Sequence, residues 1–117
     1  MKKNDNTNYN IGGQIWVQKD GANFMGPGRI ALLEYLSNGY SLSQTASMLN
    51  MEYDIALKNI KAINKISKEP LVITCNSDNY EVTEYGQNII KIYKQLKEEH
   101  SLFLEKLNET FMLKMKT

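Results

Sequence analysis

Apolar residues recur along this chain at helical spacing in four stretches, and alternate over a few positions in two or three others. The first helical stretch, about Pro27 to Ser37, turns Ile30, Leu32, Leu33 and Leu36 toward a core. Pro27 suits its first turn, where a missing amide hydrogen costs nothing, and Asn38-Gly39 closes it. The stretch from Ser41 to Pro70 organises the rest and reads as two short helices joined by a tight turn. Ser43 is the expected cap of the first, with Leu42 just ahead of the helix and Ala46 and Leu49 on one face. Asn50 tolerates the left-handed conformation that stops it. The second starts near Glu52 and puts Ala56, Ile60 and Ile63 at i, i+4, i+7 for burial. Its other side carries Tyr53, Asp54, Leu57, Lys58, Lys61 and Lys65, and Pro70 ends the run by pushing Glu69 into extended conformation. Two helices in this relation, the second with a polar and mostly basic face, form a candidate helix-turn-helix.

Strand patterns flank this unit. Gln14 to Lys19 alternates Ile15 and Val17 against Trp16, so both sides of a short strand are expected to be covered. Asp20-Gly21 turns the chain, and GANFMGPG reads as a connector punctuated by Gly26, Pro27 and Gly28. After Pro70, LVITC is an apolar, β-branched strand, NSDN has turn composition, and Tyr80 to Val82 returns as a second strand, the layout of a short wing. Thr83 caps a last helix from Glu84 to about Lys114, and Gly86 in its first turn is explained by close packing. Ile89, Ile92, Tyr93, Leu96, His100, Phe103, Leu104, Leu107 and Phe111 recur along it at threes and fours. That stripe outruns a three-helix core, so the helix either folds back or packs on a second copy.

The expected fold is therefore mainly α with a small β wing, a winged helix-turn-helix with a long C-terminal dimerisation helix. Residues 1–13 are expected to be a disordered N-terminal tail, 14–82 the winged helix-turn-helix and 83–117 the dimerisation helix, with Ile92, Leu96, Phe103, Leu104, Leu107 and Phe111 as the dimer interface. Composition changes this little: 42% hydrophobic and 23% charged residues are ordinary for a globular domain. A net charge of only +1 gives the whole molecule no strong pull on nucleic acid, so the local lysine stripe of Lys58, Lys61, Lys65 and Lys68 matters more. One cysteine, Cys75, and one histidine exclude the usual zinc frameworks and an internal disulfide. There is no Gly-rich phosphate loop and no convergent set of acids and bases, so no cofactor and no enzymatic activity is expected. Without a membrane-spanning or secretory segment, a cytoplasmic location is expected.

The segments GPGRIALLEYL, SLSQTASMLNMEYDIALKNIKAINKI, EPLV and VTEYGQNIIKIYKQL, in that order, resemble the N-terminal DNA-binding domain of the ModE molybdate-responsive regulators, over about residues 14–97. The general helix-turn-helix pattern also fits the LysR regulators. The ModE resemblance implies a cytoplasmic, dimeric winged helix-turn-helix transcriptional regulator bound to double-stranded operator DNA. Family members continue into molybdate-binding domains; this chain ends at Thr117, so that module is expected to be absent, which leaves open an effector-binding protein on a separate chain. Where the family has Gly-Met-Ser-Tyr, this sequence has Asn50-Met51-Glu52-Tyr53, and the family's longer wing is cut to Asn76-Ser77-Asp78-Asn79, with an acid at its tip.

By position in the motif, Tyr53, Asp54, Leu57 and Lys58 are implied to face base edges. Lys61 and Lys65 are implied to reach phosphates, with Ser43, Gln44 and Arg29, near helix starts, as further contacts. Each has an alternative: Tyr53 and Leu57 packed in the domain, Arg29 paired with a neighbouring acid, the lysines simply solvated. The alternative for the whole chain is a winged-helix protein–protein interaction module with weak or no DNA binding.

Overall fold

A computed structural model of the chain describes residues 9–116. Its elements run, in order, β1 (Val17–Lys19), β2 (Ala22–Met25), α1 (Pro27–Ser37), α2 (Leu42–Met48), α3 (Tyr53–Ile66), β3 (Val72–Asn76), β4 (Asn79–Val82) and α4 (Glu84–Met115). Four helices, the last of them long and C-terminal, and two small antiparallel hairpins make an architecture compatible with a winged helix. The apolar stripes meet in one core. Leu32 and Leu33 of α1, Leu42 of α2, and Ala56 and Ile63 of α3 are fully buried, and Leu71, Val72 and Val82 close it from the β3–β4 side with Ile90 and Tyr93 from α4.

The first hairpin corrects the connector expected after Asp20-Gly21. Both residues take positive φ, 53° and 82°, the two-residue turn whose twist matches that of the flanking strands. The chain therefore folds straight back, and Ala22–Met25 pairs as β2, with Val17 opposite Met25 and Lys19 opposite Ala22. Trp16, expected to be covered, is 61% exposed.

Two further corrections concern helix ends. The cap of α2 is Ser41, not Ser43: Gln44 N donates to Ser41 Oγ at 3.1 Å while Ser41 N donates to Gln44 Oε1 at 2.9 Å, a reciprocal capping box. Leu42 is thus the first residue of the helix and lies in the core. At the other end of the unit, α3 stops at Ile66, before Pro70 acts on it. The Asn64 side chain explains the early exit: Oδ1 accepts from Leu71 N at 2.8 Å and Nδ2 donates to Val72 O at 2.8 Å, so the chain is already reversing into β3. The turn between α2 and α3 is as expected, with Asn50 left-handed at φ 55°.

Thr83 caps α4, its hydroxyl oxygen accepting from Gly86 N at 3.0 Å and donating to Pro70 O at 2.8 Å. A Cβ on Gly86 would collide with the Leu71 carbonyl oxygen and sit 2.7 Å from Val82 Cγ1, so close packing is what requires glycine here. The 32 residues of α4 span about 48 Å at a helix's rise per residue. Only Gly86, Ile90 and Tyr93 of them are buried, so the helix leaves the core after three turns and projects beyond it. Of the segment expected to be a tail, residues 1–8 lie outside the described residues. Tyr9 to Gly13 run along α4: the Tyr9 ring meets Phe111 edge-on at 5.4 Å, and Gly13 lies against His100 and Leu104. The Tyr93 hydroxyl donates to Ile15 O at 2.7 Å, tying the same segment to the base of α4.

Candidate nucleic-acid interface

The outward face of α3 is built by exclusion. Ala56, Ile60 and Ile63 turn to the core, and the adjacent flank is consumed by structural bonds. Asn59 on that flank accepts from Arg29 Nε at 2.8 Å and donates to Ile55 O at 2.9 Å; Lys19 Nζ reaches from β1 to Ile66 O at 3.0 Å, satisfying a carbonyl at the helix end. What remains outside is Tyr53, Asp54, Ile55, Lys58, Lys61 and Lys65, all exposed. None of the three lysines has an ion-pair partner among the described residues, so their charge is uncompensated at contact distance. Leu57, between them, is half-buried and packs on the core edge.

Tyr53 begins α3 near Asp78 and Tyr80 of the β3–β4 hairpin. Partial desolvation first, then the neighbouring Tyr80 and Asp78 charges, hold its phenol above the ordinary range, so it is a neutral donor near pH 7. Asp78 itself is turned inward. Its carbonyl accepts from Leu42 N at 3.0 Å and its carboxylate Oδ1 from Ser43 N at 3.2 Å. With the capping box, all four amides from Ser41 to Gln44 are thereby satisfied inside the protein. Ser43 and Gln44 are exposed at this end, but neither offers a free backbone amide, and the Gln44 side chain serves the box.

Arg29 sits elsewhere, at the start of α1. Besides Asn59, it donates from Nη1 to the carbonyls of Asn23 at 2.8 Å and Phe24 at 3.1 Å. It pins β2 between α1 and α3, and it pairs with no acid among the described residues. Burial lowers its pKa. Cys75, on β3, has its thiol pushed up by desolvation and by Glu81, whose carboxylate lies 3.7 Å from Sγ. That disfavours the thiolate, the reactive form.

The structure thus brings Tyr53, Asp54, Leu57, Lys58, Lys61 and Lys65 to one helix, places Ser43 and Gln44 at the nearby start of α2, and sets Arg29 apart on the hairpin side. Sequence reasoning passed over Asn59, Asn64 and the inward role of Asp78. Asp78 acts on residues 35 positions away, beyond any local pattern. Along α4, Ile92, Leu96, Phe103, Leu107 and Phe111 are exposed apolar side chains, while Leu104 is half-buried beneath Gly13. Among the described residues no cluster of His, Cys, Asp and Glu could hold a metal ion, and no helix is long and apolar enough to cross a membrane.

No protein-family model matches the chain. It is similar to the molybdenum transport protein ModE of Azotobacter vinelandii, 29% identical over 85 residues, a match that covers 69% of this chain and 32% of that protein. This supports a ModE-like relationship. The chain spans about a third of the length of that relative.

Proposed function

We propose that this protein is a DNA-binding transcriptional regulator of the ModE type, a winged helix-turn-helix that acts in the cytoplasm as a homodimer and reads double-stranded DNA with α3. The observation that carries the reading is the row of exposed, unpaired Lys58, Lys61 and Lys65 on the one face of α3 that neither the core nor structural bonds consume. Tyr53, Asp54, Leu57 and Lys58, toward the start of the helix, take the base edges; Lys61 and Lys65 take phosphates. The exposed α4 stripe pairs two copies, so that two reading helices address half-sites about one DNA turn apart.

Selection from random duplexes at low salt tests the reading: enrichment of a two-fold motif is expected, and no enrichment at all refutes it. On the selected duplex, Lys61→Ala removes one phosphate contact per protomer and lowers the log–log salt slope by about one unit for each. Lys58→Ala instead relaxes preference at one base position, at about 1–3 kcal/mol if the ammonium meets guanine. A second reading, a protein-interaction module, draws on the same apolar α4 stripe; under it, the stripe meets a different protein and α3 binds no duplex.

A further inference from the structure

A cleft of about 530 Å³ opens between the β1–β2 hairpin, the start of α1 and the α2–α3 unit. Its size is that of a pocket for a molecule of one or two rings. Buried Met25 and Leu32 lie at its base with Met51, and Trp16 stands at its rim, 61% exposed. An aromatic side chain of that area left open beside a cleft is a surface with an apolar contact to make.

The other wall is positive. Arg29 lines the cleft, spends Nε and Nη1 on Asn59 and two carbonyls, and leaves the N–H groups of Nη2 without a partner and the charge without a carboxylate among the described residues. No residue lining the cleft is acidic, and α1 begins there with no acid in its first turn and no side-chain cap. Gly28, in that first turn, also lines the cleft. A Cβ on it would meet nothing within 4 Å, and its φ is not in the left-handed region. Neither packing nor backbone conformation requires glycine there, and a helix is weakened by it. Glycine there leaves the backbone of the first turn uncovered on the cleft side.

We propose that this cleft binds a small planar aromatic anion, with its ring beside Trp16 and its carboxylate at the Gly28–Arg29 end. Met51 in the turn before α3 and Asn59 on α3 both line the cleft, so an occupant bears directly on the placement of the helix-turn-helix. The site stands on its own geometry, whether or not α3 reads DNA.

Trp16 is the chain's sole tryptophan, so its indole Nε1–H gives a single ¹⁵N–¹H cross-peak that reports on the cleft directly. The full chain is titrated with sodium 2-naphthoate, and separately with naphthalene-2-carboxamide, acetate and inorganic phosphate. Expected are saturable shifts of the Trp16 indole and Gly28 amide with 2-naphthoate, at least about tenfold weaker for the uncharged carboxamide, since a charge-assisted bond is lost. Gly28→Ala should raise the melting temperature yet weaken 2-naphthoate, a split that a purely structural glycine would not give. Trp16→Leu should bind more weakly while remaining folded. Equal response to carboxamide or acetate, a linear unsaturated shift, or full affinity in Gly28→Ala overturns the proposal. Phosphate shifting the peaks as strongly as naphthoate would mark a bare oxyanion seat and overturn the aromatic class. Shifts that follow protein concentration without ligand would mark a second copy over the cleft and overturn it too.

Discussion

If α4 joins two copies, the substitutions that test it are Phe103→Asp with Leu107→Asp. Both side chains project from the part of α4 beyond the core, at 58% and 38% exposure, so charging them should leave the fold of a single copy intact. Leu104 is a poorer choice, because it already lies under Gly13. Burying a Phe or Leu completely is worth about 1.5–3 kcal/mol; scaled by the exposed fractions, the pair contributes about 1.5–3 kcal/mol per protomer and about 3–6 kcal/mol across a two-fold axis. About 3–6 kcal/mol corresponds to about two to four decades in dissociation constant, before the cost of burying four carboxylates is added. A dimer of about micromolar affinity would therefore be largely monomeric in the variant at working concentrations. Sedimentation velocity over about a hundredfold range of protein reads this directly, with far-ultraviolet circular dichroism to show that the variant remains helical. A wild-type chain that sediments as a monomer throughout, or a double variant that dimerises as well as wild type, refutes the reasoning and the two-fold operator with it.

Gly86→Ala should destabilise the protein in spite of alanine's better helix propensity, because the new methyl meets the Leu71 carbonyl and Val82 Cγ1 at 2.7 Å. Overpacking of this kind costs about 1–3 kcal/mol, visible in urea as a lowered midpoint with unchanged slope; a stabilised variant would mean that α4 shifts freely on the hairpin. The Tyr53 phenol has its pKa raised in the folded state, so its contribution to stability is complete below the unfolded value near 10 and is lost as pH rises through the higher folded value. Tyr53→Phe should therefore flatten the fall in denaturation midpoint above pH 10 while leaving the midpoints near neutral pH on one plateau, and an unchanged alkaline slope would contradict the raised phenol.

The local grammar of the chain carried the helices well. Three apolar positions on α3, the left-handed Asn50, the Thr83 cap and the packing role of Gly86 all follow from period, cap chemistry and steric reasoning over a few residues. The misplaced cap of α2 was also local: Ser41 and Ser43 are equally good caps in isolation, and only the Gln44 three residues after Ser41 distinguishes them. Strand β2 was hidden because Ala-Asn-Phe-Met has weak β character, and its pairing is imposed by the Asp20-Gly21 turn. The candidate interface was legible as a basic helix face, but its surroundings were not. Arg29 finds Asn59 thirty positions away and Asp78 finds Ser43 thirty-five away, and no pattern of hydrophobicity encodes which polar side chains meet across a fold.

Those long-range bonds change how the charge count bears on function. A net charge of +1 argues against nucleic acid only if acids and bases are spread alike over the surface. They are not. Asp78 at the hairpin turn spends its carboxylate on a backbone amide of α2, and Glu34 is held 2.7 Å from Lys94 on the α4 side of the body. Lys58, Lys61 and Lys65 stand on the outward face of α3 with no ion-pair partner among the described residues. The acids left on that helix, Glu52 and Asp54, lie at its start, where the helix dipole favours them. A carboxylate there repels phosphate but accepts well from the exocyclic amine of cytosine. The same arrangement that weakens indiscriminate binding to a backbone would therefore sharpen the choice among base pairs, with the lysines one to three turns further along supplying the attraction.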